Sequence, residues 1–346
     1  MANILKNALS RGTLMALAVL VFHFQKWSSS GFWDATTVVG KLGVYAVSVF
    51  FVLSGLTLAL VYTDMPLGTW RGNRRFFAKR LGRILPLLWL ATVATFALDH
   101  NLQLWGWGDF FFNMTGIFGF VCPGRDIALG AWSLGNELVF YAFFPILWLF
   151  FKKIGPCAWW TAFVLSASAG IFYAFCWVKR DLGFQEQWTV YTQPAHHFFF
   201  FAAGTGLGFF QKNILSVAPR IWWVLLVAVG FWFAFWPVGA APTNLIFGAD
   251  RLFLSALAIL FAAAFFGSRM RFSGQIHSVL TWLADCSYSI YLLHPIVFRL
   301  AKWANLHFFG FPMTVALTAA FLATMLVSHF IFKNYERPMK RIFDRF

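Results

Sequence analysis

Long apolar segments recur along this 346-residue chain, and they constrain its fold more than any other feature. A membrane-spanning helix needs about 20 mainly apolar residues, and ten stretches reach or approach that length. The predicted spans are residues 13–27, 41–62, 84–99, 131–151, 157–177, 196–211, 221–237, 251–267, 281–301 and 313–332. No alternating strand pattern competes with these runs, so helices and not a barrel should cross the bilayer. The sequence therefore predicts an all-α, polytopic integral membrane protein with about ten transmembrane helices, forming a single transmembrane domain over residues 1–346.

The composition supports this class of protein. Hydrophobic residues make up 60% of the chain and charged residues 11%, whereas an ordinary soluble domain carries about 25% charged residues. The formal net charge of +15 could indicate a nucleic-acid partner. However, the basic residues lie at the ends of apolar segments and not in solvated blocks with interleaved aromatic residues. We therefore expect membrane lipids and an anionic ligand as partners, with no nucleic acid, and the four cysteines have no metal-ligand spacing.

The distribution of Lys and Arg predicts the orientation of the chain. With the N-terminus inside, nineteen of the 27 basic residues fall on the inner side. Because cytoplasmic loops collect Lys and Arg, both termini are predicted to be cytoplasmic. Lys6 and Arg11 followed by the apolar run 14–22 also resemble a secretory signal peptide, but no small-residue cleavage site follows. We interpret this segment as the first spanning helix.

The stretch RGNRRFFAKRLGRILPLLW, residues 71–89, links the second and third apolar segments and is unusually basic. Its cations are Arg71, Arg74, Arg75, Lys79, Arg80 and Arg83. Guanidinium groups bind phosphate through charge-assisted, bidentate hydrogen bonds, so this basic cluster is a candidate site for a phosphorylated ligand. For any single member, a role in topology alone remains open.

Three ionisable residues fall inside predicted spans: His23, Glu137 and His294. Such residues are costly in a bilayer and are functional candidates by default. From the rise per residue of a helix, His23 lies about 18 Å above the inner face, and Glu137 and His294 lie about 9 and 13 Å below the outer face. All three fall in the outer half of a core about 30 Å thick, so they can meet in one polar pocket. The alternative is that each is satisfied separately by a carbonyl or hydroxyl group.

Polar residues accompany Glu137 on its helix. In the segment WSLGNELVFYAFFP, Ser133, Glu137 and Tyr141 share one face at i, i+4 spacing. Trp132 precedes them and is expected at the membrane interface. This face is a candidate wall of a substrate site.

A second polar face accompanies His294. Around the segment YSIYLLHP, Ser287, Tyr291 and His294 fall on one side of the helix, and Pro295 can loosen the adjacent turn. Such a stripe can also serve only to hydrogen-bond one helix to another.

Three further polar or aromatic features lie on the predicted outer side. Residues 102–130 are too apolar for a solvated loop, so we expect them to lie on the interface and to cap a site. His196 and His197 are predicted to form a wet interfacial pair. Asp250 and Arg251 are predicted to form a local ion pair. A functional role for either pair is the alternative.

Six motifs together resemble a known family. They are an Arg-Gly followed by a helix ending in FHF, VFFVLSGLTL (49–58), RxxRILP (80–86), WSLxxExxFYxxFP, YSxYLLHP and a terminal YERP (335–338). Each motif alone is weak, but six in family order from residue 11 to 338 are specific. The chain thus resembles the bacterial acyltransferase-3 family of membrane-bound acyltransferases, in particular the stand-alone members without an SGNH-type domain.

The resemblance implies transfer of an acyl group, commonly acetyl, from cytoplasmic acyl-CoA to a hydroxyl of a cell-surface or exported polysaccharide, lipopolysaccharide or lipid-linked precursor. It implies a multi-pass protein of the bacterial inner membrane, with acyl-CoA as a co-substrate and no permanently bound cofactor. By motif match, His23 takes the place of the essential first-helix histidine and Arg11 that of its partner arginine. Arg80 and Arg83 take the places of the cytoplasmic arginines.

The chemistry of acyl transfer gives these residues candidate roles. A sugar hydroxyl attacks a thioester poorly unless a base removes its proton. His23 is the candidate base, because an unperturbed imidazole titrates near neutrality. Glu137 either orients and stabilises the imidazolium or is itself the base, and His294 completes the catalytic candidates. A covalent acyl-His relay remains open.

Two sets of binding residues follow. The candidates for acyl-CoA are Arg11, Arg74, Arg75, Lys79, Arg80 and Arg83, and those for the substrate are Trp132, Ser133, Tyr141, Ser287 and Tyr291.

The alternative function is a transporter or flippase, in which Arg and His line a path for an anionic glycan or glycolipid. Such carriers often contain inverted repeats with broken midplane helices, and the sequence has no evident paired halves.

Overall fold

The computed structural model describes residues 2–28, 33–62, 65–99, 104–270 and 274–345, with side chains of the first range described from residue 12. Within these ranges every regular element is a helix. The α-helices are α1 (Ala2–Ser28), α2 (Val38–Val61), α3 (Trp70–Leu98), α4 (Trp107–Thr115), α5 (Phe118–Val121), α6 (Trp132–Ile154), α7 (Pro156–Phe172), α8 (Trp188–Tyr191), α9 (Pro194–Phe209), α10 (Gln211–Ser216), α11 (Pro219–Phe235), α12 (Gly248–Gly267), α13 (Gly274–Ala304), α14 (Met313–Ile331) and α15 (Arg337–Phe343). Single π-helical turns follow α7, α13 and α14.

Each of the ten predicted spans lies largely within one helix, α1, α2, α3, α6, α7, α9, α11, α12, α13 or α14. Among the described residues, six helical segments are long and apolar enough to cross a membrane. They are Val38–Val61, Trp70–Leu98, Trp132–Ile154, Pro156–Trp177, Gly248–Gly267 and Met313–Phe343. The all-α prediction is confirmed, and these helices are consistent with a polytopic membrane protein. The number of crossings and the orientation of the termini remain predictions.

Helix α3 differs from the prediction at its N-terminal end. The apolar pattern predicts a span from residue 84, but the helix begins at Trp70 and runs through Pro86 to Leu98. The side-chain hydroxyl of Thr69 accepts a hydrogen bond from the Gly72 N–H at 3.1 Å and so caps the helix. The basic cluster therefore lies on the first turns of a long helix and not in a link before it.

Helices α2 and α9 pack closely through glycines at the centre of the bundle. A Cβ atom at Gly204 would lie 1.9 Å from the Val52 carbonyl oxygen, and one at Gly55 would lie 2.2 Å from that of Phe201. Small residues allow the backbones of membrane helices to approach in this way. This contact fixes α2, which carries one wall of the site described below.

Buried Lys41 joins the start of α2 to the end of α11. Its ammonium group donates hydrogen bonds to the carbonyl oxygens of Phe233, Ala234 and Trp236 at 3.1, 3.0 and 2.9 Å. A lysine near a helix C-terminus donates hydrogen bonds to unpaired carbonyl groups and is attracted by the negative end of the helix dipole. The charge of this buried lysine is thereby compensated without an acidic partner.

The connections between helices gather at the two ends of the bundle. At one end, the Ala35 N–H donates to the Ala240 carbonyl at 3.1 Å, and the Thr243 hydroxyl donates to the Leu182 carbonyl at 2.9 Å. These residues belong to three connections that the charge distribution assigns to the outer side. We call this the outer end.

Contacts at the opposite end join connections that are assigned to the inner side. The Arg269 guanidinium donates to the Leu215 carbonyl, and Phe343 of α15 packs against Gly82 of α3. The relative grouping of the connections in space therefore agrees with the charge pattern.

Candidate active site

Helices α1 and α13 bring His23 and His294 into contact. Nδ1 of His23 lies 2.8 Å from Nε2 of His294, and the ring centroids are 5.0 Å apart. The Trp27 ring, one turn along α1, stacks on His23 with a centroid distance of 5.0 Å. His294 is 1% exposed, whereas His23 is half-buried and lines a cavity. The two histidines that the depth estimates place together are thus adjacent.

The hydrogen bonds of this pair define which ring nitrogens carry protons. Nδ1 of His294 lies 3.0 Å from the Ile290 carbonyl oxygen. Because a carbonyl only accepts, this nitrogen carries the proton, and Nε2 of neutral His294 has the lone pair. Nδ1–H of His23 then donates to Nε2 of His294, and Nε2 of His23 keeps its lone pair. His294 therefore holds His23 in the tautomer of a general base, as the aspartate does in a Ser-His-Asp triad.

His23 lines a cavity at the outer end of the bundle, which we call the outer cavity. Its volume is about 770 Å³, within the usual range of about 300–1,000 Å³ for ligand pockets. Five indole rings contribute to its wall, those of Trp27, Trp33, Trp105, Trp132 and Trp188. Indole groups offer flat apolar faces and one N–H donor each, which suits a ligand with both apolar and hydroxyl surfaces. The connection before α6 lines this cavity, as expected for a segment that caps a site.

Asp126 in that connection also lines the outer cavity and is 7% exposed. Burial raises the pKa of Asp126 to about 6, while hydrogen bonds from the Trp132 backbone and the Trp188 side chain oppose this rise. A carboxyl group that titrates near neutrality can accept or donate a hydrogen bond. Asp126 is therefore a candidate contact for the hydroxyl groups of a ligand.

Glu137 lies in a second, smaller cavity of about 120 Å³, which we call the inner cavity. One carboxylate oxygen accepts hydrogen bonds from the Ser54 hydroxyl at 2.6 Å and from the Tyr141 hydroxyl. The outer cavity is lined by His23 but not by Glu137. The prediction of a single pocket for Glu137 and both histidines is therefore wrong. Similar depth does not determine the side of a helix on which a residue lies.

Arg80 and Arg83 of the basic cluster line the inner cavity opposite Glu137. Nε and Nη2 of Arg80 donate to the Tyr62 hydroxyl at 3.1 and 2.8 Å, and its guanidinium lies 5.0 Å from the centre of that ring. Such contacts hold a guanidinium in place while other N–H groups remain available. The inner cavity thus combines two guanidinium groups with one carboxylate.

The other predicted CoA-binding residues lie elsewhere. Arg74 and Arg75 are exposed on the first turns of α3, and Lys79 is half-buried there. They can reach only the part of a ligand that protrudes beyond the inner cavity. The side chain of Arg11 lies outside the described residues.

The predicted substrate-binding residues of α6 and α13 meet across the bundle. The hydroxyl oxygens of Ser133 and Tyr291 lie 2.8 Å apart. Ser133, Glu137 and Tyr141 all line the inner cavity, which confirms that they share one face. Ser287 lines it as well.

Trp132 is 6% exposed and is therefore buried instead of lying at the membrane interface. Its ring packs against His197, with centroids 5.3 Å apart, and also lines the outer cavity.

Two predictions about polar pairs are wrong. His196 and His197 are 0% exposed, because the first turn of α9 packs into the bundle. Arg251 is 1% exposed and its Nη2 lies 3.4 Å from Nδ1 of His197, while Asp250 accepts from the Trp236 indole at 2.9 Å. The two neighbours in sequence thus point to different partners.

Ser54, Tyr62 and Asp126 were not identified from the sequence. Ser54 lies in the motif VFFVLSGLTL, where a hydroxyl in an apolar run was a usable signal. Tyr62 and Asp126 lie at the end of a span and in a connection, where polar residues are ordinary. No group of three His, Cys, Asp or Glu in the described ranges could hold a metal ion.

Comparison with known proteins assigns the chain to a class of enzymes. Residues 11–333 match the acyltransferase-3 family, an acyltransferase domain, so the chain belongs to this family, as the motifs indicated. It is 28% identical over 325 residues to the exopolysaccharide production protein ExoZ of Rhizobium meliloti, with 87% of this chain and 90% of ExoZ covered. It is 25% identical over 305 residues to the acyltransferase MdmB of Streptomyces mycarofaciens, with 82% and 76% covered. No solved structure gives a significant match.

Proposed function

We propose that this protein is a bacterial inner-membrane O-acyltransferase that uses cytoplasmic acyl-CoA. The acyl group, which we take to be acetyl, is transferred to a hydroxyl of an exported polysaccharide, lipopolysaccharide or lipid-linked precursor. The observation that carries this proposal is the His23 imidazole, held by His294 as a general base at the wall of the outer cavity. The name of ExoZ favours a glycan acceptor, and that of MdmB favours acyl transfer.

The inner cavity suits the donor. Arg80 and Arg83 offer guanidinium groups to the phosphates of CoA through charge-assisted hydrogen bonds. The basic cluster lies at the N-terminal end of α3, where the positive end of the helix dipole repels cations and attracts an anion. A bound polyphosphate would relieve this repulsion. The acyl-pantetheine arm would then extend through the inner cavity towards the histidines.

The outer cavity suits the acceptor. Its indole faces and Asp126 would bind a sugar whose reactive hydroxyl points at Nε2 of His23. His23 removes the hydroxyl proton as the oxygen attacks the thioester carbonyl carbon. The C–S bond breaks, the ester forms, and the CoA thiolate takes up the proton from the His23 imidazolium. Nε2 of His294 stabilises the imidazolium by accepting from Nδ1–H.

Glu137 has a different role in this scheme from the two that the sequence suggested. Its hydrogen bonds to Ser54 and Tyr141 place it beside Arg80 and Arg83, where its charge offsets theirs. We propose that it lowers the net positive charge of the inner cavity when donor is absent. A covalent acyl-His23 intermediate uses the same nitrogen as direct transfer, and both routes depend on His23.

The proposal is tested with purified protein in lipid nanodiscs, acetyl-CoA and de-O-acylated surface polysaccharide from the source cells. Wild-type protein should release free CoA, and the polysaccharide should gain acetyl esters, measured by a thiol assay and mass spectrometry. His23→Ala should lower this rate at least about 100-fold, because general-base catalysis contributes about 10²–10⁴-fold.

His307→Ala is the matched control, since His307 is exposed in the π-helical turn after α13. It should retain the wild-type rate. Equal activity of His23→Ala and wild type would refute the assigned base. Movement of a lipid-linked sugar across the membrane with no CoA release would instead favour a carrier.

A further inference from the structure

The inner and outer cavities adjoin each other at two residues. Val47 of α2 and Tyr291 of α13 line both cavities. Tyr291 is 7% exposed, and its ring meets that of Phe50 edge-on at a centroid distance of 5.9 Å. A phenol ring therefore lies at the boundary between the arginine-lined and the histidine-lined cavity.

Two hydrogen bonds hold the Tyr291 hydroxyl in this position. It donates to the Gly130 carbonyl at 3.0 Å and lies 2.8 Å from the Ser133 hydroxyl. Gly130 belongs to the connection that lines the outer cavity, whereas Ser133 lines the inner cavity. The Tyr291 hydroxyl is thus hydrogen-bonded to one residue that lines the outer cavity and to one that lines the inner cavity.

The backbone on both sides of this contact departs from regular helical geometry. Gly130 has φ +87°, a conformation that suits glycine, and a Cβ there would lie 3.3 Å from the Tyr291 hydroxyl. Pro295 has no N–H for the Tyr291 carbonyl, so α13 lacks one helical hydrogen bond at this turn. The hydrogen bond from the Tyr291 hydroxyl thus ends on a residue outside regular helix, so its loss would leave the helical hydrogen bonds of α13 intact.

We propose that Tyr291 determines specificity for a glycan over water, by closing the passage between the two cavities until the acceptor displaces Gly130. This inference rests on the proposed acyl transfer. With the passage closed, the thioester is kept from the water that fills an unoccupied outer cavity. Acceptor binding opens the passage at the moment when a sugar hydroxyl, and not water, lies beside His23.

The reaction that this partition suppresses is hydrolysis of the donor. Water would lose a proton to His23 and attack the thioester carbonyl, giving a carboxylic acid and free CoA. The chemistry is the same as that of transfer with water in place of the sugar hydroxyl. Exclusion of water favours the ester, because water in the closed enzyme would otherwise compete with the bound glycan hydroxyl for the same thioester.

The test measures acetyl-CoA hydrolysis and acetyl transfer separately, in nanodiscs, with and without de-O-acylated polysaccharide. Tyr291→Phe removes the hydroxyl and both of its hydrogen bonds while keeping the ring. We expect acceptor-independent hydrolysis to rise about tenfold, the size expected when two hydrogen bonds of modest net strength are lost. The ratio of transfer to hydrolysis should fall by a similar factor. Tyr45→Phe is the control. The Tyr45 hydroxyl donates to the Leu245 carbonyl at 2.6 Å, and Tyr45 lines neither cavity.

Ser133→Ala removes the second hydrogen-bond partner and should also lower the ratio. If Tyr291→Phe does not fold, the result for Ser133→Ala decides. An unchanged ratio in the folded variants would overturn the partition while leaving acyl transfer intact. No CoA release by wild type under either condition would instead refute the proposed function. In the double variant His23→Ala, Tyr291→Phe, the extra hydrolysis should disappear; its persistence would show that water reaches the donor by another route and overturn the inference.

Discussion

Neutral His294 accepts a hydrogen bond from His23 without carrying the negative charge of a carboxylate. A carboxylate supplies a full negative charge, whereas a neutral imidazole supplies one lone pair and carries no net charge. Nε2 of His294 already faces Nδ1 of His23 at 2.8 Å. The pair can therefore share one proton during transfer without placing a fixed anion deep in the membrane, where an unpaired charge is costly.

This arrangement predicts different effects for two substitutions of His294. His294→Ala removes the acceptor of the Nδ1–H group, so His23 loses its tautomer and orientation, and kcat should fall about 100-fold or more. In His294→Gln, a side-chain oxygen can occupy the place of Nε2 and accept from His23. That variant should therefore retain at least about ten times the kcat of His294→Ala. The measurement is kcat with acetyl-CoA and polysaccharide, with KM for acetyl-CoA as a check on folding and donor binding.

Equal kcat values for these two variants would mean that His294 does not act through an accepted hydrogen bond. A large rise in KM for acetyl-CoA would place His294 in donor binding instead.

Depth estimates from the sequence were sufficient for the histidine pair but not for Glu137. His23 and His294 lie on helices that are neighbours, so similar depth led to contact. Glu137 projects from α6 towards α2 and α3, one cavity away. Neighbour relations between helices, and the rotation of each about its axis, depend on packing far apart in sequence. The burial of His196 and His197 was missed for the same reason.

At the scale of elements, the sequence predicted where helices lie better than where they end. The cores of α2, α6 and α12 follow their apolar runs closely. Helices α1, α3 and α13 extend beyond theirs, because polar residues outside the hydrocarbon core can continue a helix at no desolvation cost. For α3 this extension places the exposed Arg74 and Arg75 on the same helix as Arg80 and Arg83, so the two parts of the proposed donor site keep a fixed spacing.

The α2–α9 contact supports a prediction about stability. Gly204→Ala places a methyl group 1.9 Å from the Val52 carbonyl oxygen, so the two helices must separate. Overpacking of this kind costs about 1–3 kcal/mol, which should lower the apparent Tm in detergent by about 1–4 °C for a chain of this length. Gly230→Ala in α11 is the control, because nothing lies within 4 Å of its added Cβ. Its Tm should equal or slightly exceed that of wild type. Equal losses in both variants would show that the close approach at Gly204 does not explain the effect, because helix propensity alone favours Ala over Gly.

At the scale of the whole molecule, geometry and charge answer different questions. The contacts at the outer end join connections at Ala35, Leu182, Ala240 and Thr243, so these must lie on one side of the membrane. Geometry alone does not say which side this is. The excess of Lys and Arg at the other end predicts that the other end is cytoplasmic. The proposed function requires the same answer, because acyl-CoA is a cytoplasmic donor and the basic cluster lies at that end.

Cysteine labelling in cells tests this orientation. In a variant with all four cysteines changed to serine, single cysteines replace Asp181 at the outer end and Ser216 or Asp344 at the inner end, all of which are exposed. A membrane-impermeant maleimide applied to spheroplasts should label Asp181→Cys, whereas Ser216→Cys and Asp344→Cys should react only after permeabilisation. Labelling of Asp344→Cys in intact spheroplasts would place the C-terminus and the basic cluster outside. The arginines would then face a compartment without acyl-CoA, and the cluster would have to bind an external anion instead.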